Sequence, residues 1–195
     1  MPGTVGVLLA AGASARFGAD KLLHRLDDGK TVAVTAAGHL LKTLPFSIAV
    51  VRPGDEVPAA LLRDAGLHIV ACPLAVRGMG HSLACGVAAS PEADAWVIAL
   101  ADMPYISPDS LHRIVAGLHT GAAMVAPYYA GHRGHPVAFD HSFHDGLLNL
   151  EGDAGARRLV ERHSDKLYRI DVDDPGILQD IDTPADLHRP LLASV

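Results

Sequence analysis

The chain has no run of Lys or Arg longer than two residues, so it lacks the basic stripe with which a nucleic-acid-binding face neutralises phosphates. A formal net charge of −6 points the same way, and a nucleic-acid polymer is not expected as a partner. One nucleotide needs only a few local donors and stays compatible. Long apolar runs are missing too. The stretch Val5 to Ala11 has no basic segment before it and is soon followed by Gly12 and Arg16. It is too short to span a bilayer and wrongly flanked for a secretory signal, so it reads as a buried strand. A cytoplasmic protein without membrane attachment is expected. Cysteine is scarce: Cys72 and Cys85 are far from any C-x-x-C spacing and read as reduced thiols of a cytosolic protein. Repeats, low-complexity tracts and linkers are absent. The 195 residues, 49% hydrophobic and 19% charged, therefore read as one domain, 1–195, able to bury a core.

What is present is an alternation of two periodicities. Val5–Ala11, Phe46–Val51, His68–Ala71, Ala95–Ala101 and Ala122–Pro127 are short aliphatic runs that predict strands, with shorter ones at Val137–Phe139 and Leu167–Val172. Between them, Thr31–Leu44, Ala59–Ala65, His81–Ala89, Asp109–Leu118 and Ala154–His163 repeat apolar residues every three or four positions and predict helices. Ser107-Pro108 marks a capped helix start. This order implies an α/β fold with a mainly parallel sheet and helices on both faces. Ligands of such sheets collect at the carboxyl ends of the strands.

The loop after the first run, Leu8-Leu9-Ala10-Ala11-Gly12-Ala13-Ser14-Ala15-Arg16-Phe17-Gly18, is built of small residues that let a phosphate chain approach the backbone. Arg16 and Lys21 add two cations. A Walker A loop is excluded because Gly18 is followed by Ala19-Asp20-Lys21, and the dinucleotide fingerprint fails at Ser14. Asp102 ends the apolar run Ala99-Leu100-Ala101, where a hard carboxylate oxygen suits Mg²⁺ or caps a turn. The Asp-x-Asp pair of many glycosyltransferases is missing there, since position 100 is Leu. Gly78-Met79-Gly80-His81-Ser82 suits close approach to a base or ribose, with Ser82 otherwise an N-cap. Asp153, before a helical pattern, reads as part of an anion-receiving helix start or as its cap. Asp182, in Asp180-Ile181-Asp182-Thr183-Pro184, is either a second metal carboxylate beside Asp102 or part of a cap. His132, His135, His141 and His144 tempt a zinc reading, but no cysteine is near and other histidines are scattered through the chain.

Leu-Ala-Ala-Gly-x-Ser-x-Arg-x-Gly-x-x-Lys resembles the signature of the MobA-like nucleotidyltransferases, which have a Rossmann-like fold, and within them the molybdenum cofactor cytidylyltransferase (MocA-type) branch. Five motifs in family order, from about Val5 to Leu187, carry the resemblance: this loop, Gly-x-Gly-x-Ser, Asp-Met-Pro, Gly-x-x-Gly-His-Pro and Gly-Asp-x-Gly-Ala-Arg, with the Asp-Ile-Asp-Thr-Pro segment closing the pattern. It implies that backbone from Ala10 through Ala11 and Gly12 to Ser14 meets the nucleotide, and that Arg16 and Lys21 hold the triphosphate. It further implies that Asp102 binds the metal, that Gly80 and Ser82 lie near the nucleoside, and that His135 contacts the acceptor phosphate or the pterin. For Asp153 the resemblance favours the anion-receiving helix start, and it implies that the segment of Asp182 returns to the site. The implied reaction moves CMP from CTP to the Mo-molybdopterin cofactor with Mg²⁺ and releases pyrophosphate. The alternatives are another NTP, a sugar-phosphate acceptor, or a non-catalytic carrier that hands the cofactor to a molybdoenzyme apoprotein.

Overall fold

The structure is a computed structural model that describes residues 3–12 and 20–188. In chain order it contains β1 (Thr4–Leu9), α1 (Val32–Thr43), β2 (Ser47–Val51), α2 (Glu56–Asp64), β3 (His68–Ala71), α3 (Met79–Ala88), β4 (Ala95–Leu100) and α4 (Pro108–His119). There follow β5 (Met124–Tyr129), β6 (His132–Arg133), β7 (Val137–Asp140), α5 (His144–Leu148), α6 (Arg157–Arg162) and β8 (Leu167–Asp171). The strands form one sheet in the order β3-β2-β1-β4-β7-β5-β6, with β8 also on β5. The first four strands are mutually parallel because a helix separates each from the next. From β5 the chain turns back through β6, so β7 runs antiparallel to both β4 and β5, while β8 rejoins parallel to β5. The sheet is thus mixed, parallel in the half that carries the motif loops.

Both faces are covered. On one, Ala33, Leu40, Leu62, Leu111 and Ile114 bring α1, α2 and α4 onto the sheet. On the other, Leu83, Val87, Leu147 and Leu159 bring α3, α5 and α6 onto it. Gly86 sets how closely α3 lies on β1, since a Cβ there would run into the Val7 side chain. This close approach carries the first turn of α3 to the carboxyl end of β1. At the opposite end of the sheet the single tryptophan, Trp96, is fully buried. Its Nε1 donates to Ser90 Oγ at 3.0 Å, and its ring stacks on His141 and His144.

Two expectations need correction. Cys72 and Cys85 are joined as a disulfide, with a Cα–Cα distance of 6.0 Å, and are not free thiols. After β3 the chain makes a 3-10 turn, Pro73–Arg77, and α3 then runs back and returns Cys85 to the end of β3, a reversal that spacing alone does not reveal. The last long helix starts at Arg157 rather than Ala154, because Gly152 and Gly155 take positive φ of 67° and 50°, which interrupts helical geometry. Among the described residues, no helix is long and apolar enough to cross a membrane.

Candidate active site

Strand register fixes the framework. Leu9 pairs with Val50 on one side and Leu100 on the other. Ala11 and Arg52 follow β1 and β2, and Asp102 lies in the turn that leaves β4, all beyond the carboxyl ends of their strands. A cleft of about 540 Å³ opens there, with Leu9 and Leu100 low in its wall and Ala10, Ala11 and Gly12 along one side. The N–H of Ala10 is already given to Val50 O at 2.8 Å, so that residue shapes the cleft without offering its amide. Ser14 and Arg16 lie outside the described residues.

Lys21 is 7% exposed, and its ammonium donates to Asp102 Oδ2 at 2.7 Å and Asp182 Oδ1 at 2.9 Å. Burial acts to lower its pKa, but the hydrogen bonds and charges of Asp102 and then Asp182 outweigh this and the net shift is upward. Lys21 is therefore a fixed cation. Asp20 places it by capping the short turn Lys21–Leu23 through Leu22 N.

Carboxylate oxygens of Asp102, Asp180 and Asp182 all lie within 4.8 Å of one another. Burial raises the Asp180 pKa, and the charges of Asp182 and Asp102 add to the rise. Such crowding of hard oxygen donors is relieved by a divalent cation, so these residues fit Mg²⁺ or Mn²⁺. Asp186 accepts from Asp182 N at 3.1 Å, Thr183 N at 2.8 Å and Thr183 Oγ1 at 2.8 Å, while Asp182 Oδ1 accepts from Lys21. The i, i+2 spacing of Asp180 and Asp182 was the signal that Asp180 belongs to the same group.

Ser82 is 4% exposed, lines the cleft from the first turn of α3, and is not the N-cap, a position held by Gly78. Gly80 faces elsewhere. Its N–H donates to Gly152 O at 2.8 Å, and a Cβ would sit 2.8 Å from the backbone of Glu151. The small residues of this loop therefore admit the 151–153 segment, and that contact sets Asp153 in the cleft wall. Asp153 is not the cap of α6, whose cap position is Ala156. Val76 and Met79, 78% and 40% exposed, form an apolar lip beside them.

His135 precedes β7, one strand beyond β4 and on the side away from β1. It is joined to Pro136 by a cis peptide and its N–H donates to Ile177 O at 2.9 Å. Its Nδ1 is buried without a hydrogen-bond partner. Burial holds the imidazole below its usual pKa of 6.5; Asp102 opposes this and Arg133 adds to it. The other histidines of the sequence cluster do not join it: His132 Nδ1 lies 3.0 Å from Ala130 O, and His141 and His144 stack together at the far end of the sheet. Across the top of the sheet the order is Arg52, the Ala11 loop, Asp102 and His135. Sequence reasoning missed Arg52, whose only signal was its place directly after a strand.

Known proteins resemble this chain over most of its length. Residues 6–167 match the MobA-like NTP transferase domain. The purine catabolism protein PucB of Bacillus subtilis (strain 168) is 34% identical over 200 residues, covering 95% of this chain and 94% of its own. Nicotine blue oxidoreductase of Paenarthrobacter nicotinovorans is 29% identical, covering 98% of both chains. A probable molybdenum cofactor guanylyltransferase of Mycobacterium tuberculosis is 29% identical, covering 95% of this chain and 92% of its own. The structure of Rv0371C from Mycobacterium tuberculosis H37Rv in complex with manganese superposes with a TM-score of 0.78 at 26% identity, covering 98% of this chain and 99% of that one. With the match running from β1 to the start of β8, across the cleft loops and Asp102, the chain belongs to the MobA-like NTP transferase family, a family of nucleotidyltransferases related to those of molybdenum cofactor synthesis.

Proposed function

We infer that the protein transfers CMP from CTP to the phosphate of Mo-molybdopterin and releases pyrophosphate, with Mg²⁺ as cofactor. The observation that carries this reading is the ammonium of Lys21 set between Asp102 and Asp182 at the mouth of a small-residue loop. A permanent cation beside convergent carboxylates serves phosphoryl chemistry and has no evident use in hydride transfer, which speaks for the transferase over an oxidoreductase. Asp102, Asp182 and Asp180 would hold Mg²⁺, which when bound neutralises phosphate charge. The protein's own groups do the rest. Ala11 and Gly12 flank the phosphate chain, and Val76 and Met79 offer apolar surface to a flat base. Lys21 turns its charge to the departing pyrophosphate, a role the family resemblance also assigns to Arg16. The acceptor enters on the His135 side, where one phosphate oxygen attacks the α-phosphorus as the bond to the β-phosphate breaks. That oxygen is already ionised near neutrality, so no strong general base is needed.

Pyrophosphate release by the purified protein with Mg²⁺, Mo-molybdopterin and CTP, GTP or ATP tests the reading. Release that needs the pterin and is fastest with CTP supports it. GTP-selective release moves the base assignment to guanine, and a sugar phosphate active in place of the pterin moves the acceptor. Asp102→Ala separates enzyme from carrier: turnover falls at least a hundredfold in an enzyme, whereas a carrier still delivers its cargo.

A further inference from the structure

Arg52 follows β2 and Asp102 follows β4, the two strands that flank β1, so they line one cleft from strands two spacings apart, roughly 10 Å. That is comparable to the separation between the phosphate end and the base of one nucleotide. With the phosphate end assigned to Lys21 and Asp102, Arg52 lines the same cleft, as do Val76 and Met79. Its guanidinium is held. Nε donates to Asp55 Oδ2 at 2.9 Å and Nη2 approaches Asp55 Oδ1 at 3.5 Å. Asp55 occupies the N-cap position of α2 yet makes no capping bond to that helix, so its carboxylate is committed to Arg52. This side-on pairing leaves the end-on N–H groups of Nη1 and Nη2 for another partner.

We propose that Arg52 is a base-selecting residue, held by Asp55 as a positioning residue, and that it accepts nucleobases presenting two adjacent acceptors. The inference rests on the nucleotidyltransferase reading of this cleft. A rigid donor-only fork matches cytosine, through O2 and N3, and guanine, through O6 and N7. Uracil interrupts the pattern with its N3–H, and adenine with its amino group. The two pairs CTP/UTP and GTP/ATP are each matched in size, so preference within a pair reports the donor pattern and not the shape of the cleft.

Isothermal calorimetry of the wild type, Arg52→Ala and Arg52→Lys with each of the four nucleotides and Mg²⁺ tests this. The expected result is at least a tenfold preference for CTP over UTP and for GTP over ATP in the wild type. Both variants bring these ratios to about one, while UTP and ATP affinity stays within about twofold and certifies an intact fold. Lys fails because it keeps the charge but not the fork. Equal weakening of all four nucleotides by Ala, restored by Lys, would make Arg52 a phosphate contact and overturn the proposal. Ratios unchanged in the variants, or absent in the wild type, overturn it as well. A wild type that binds none of the four sinks the nucleotidyltransferase reading itself, a result distinct from any of these.

Discussion

Lys21 neutralises carboxylates that would otherwise face one another, so its removal should be felt first in stability. Lys21→Ala leaves Asp102 and Asp182 beside Asp180 without their cation. Because those carboxylates are partly exposed, a cost of about 1–3 kcal/mol is expected rather than the larger figure for a fully buried pair. Melting should drop by roughly 3–10 °C without divalent metal. Added Mg²⁺ or Mn²⁺ should recover more of it in the variant than it adds to the wild type; equal metal effects in the two would argue against a shared cation site. His39 offers a separate check through pH. Burial lowers its pKa below 6.5, with Lys42 adding to the shift, and the unfolded chain therefore takes up this proton first. Its contribution is fully present above pH 6.5 and is lost as pH falls through the lowered native value. A melting temperature that declines as pH falls from 6.5 to that lowered value, less steeply in His39→Gln, is the expected pattern. Residues of this kind were unevenly legible. Lys21, Asp102 and Asp182 stand in ordered motifs, whereas Arg52 and Asp180 gain meaning only from strand register and from side chains meeting across the sheet.

At the level of elements, the strands were readable because their apolar runs are nearly continuous, and His68–Ala71 agrees at both ends. The helix boundaries were readable where a cap stood at the start, as at Ser107-Pro108, whose serine accepts from Ser110 N at 3.2 Å. They were not readable where glycine interrupts the chain, as before α6. The disulfide belongs to this scale. The ring from Cys72 to Cys85 encloses the turn and the first turns of α3, including Val76, Met79 and Ser82 of the cleft wall. A loop of this length is worth about 3 kcal/mol by the chain-entropy account. Reduction, or Cys85→Ser, should lower the melting temperature by roughly 6–12 °C and weaken nucleotide binding. Thiol titration of the denatured protein before and after reduction verifies the redox state, and identical melting of the two forms would show that the ring adds nothing.

At the scale of the whole molecule, the nucleotide is a ligand of the folded state alone, because the cleft draws on β1, β2, β4 and α3 together. CTP with Mg²⁺ at a hundred times its dissociation constant should add about 2.7 kcal/mol and raise melting by roughly 5–10 °C. A thermal scan with and without nucleotide checks this, and no shift at saturation would place the binding elsewhere. The α/β class was legible from alternating periods. The reversal of β7 was not, since a three-residue apolar run carries no direction. One consequence of the sheet's far end concerns how such experiments are read. Trp96 lies six residues before Asp102, roughly 20 Å along an extended strand, enclosed with Ser90, His141 and His144. Its fluorescence is a one-channel optical gauge of the intact fold, deaf to events in the cleft. A nucleotide titration followed by tryptophan emission at constant temperature should stay flat, while the same signal followed on heating should report a single unfolding step and move with ligand.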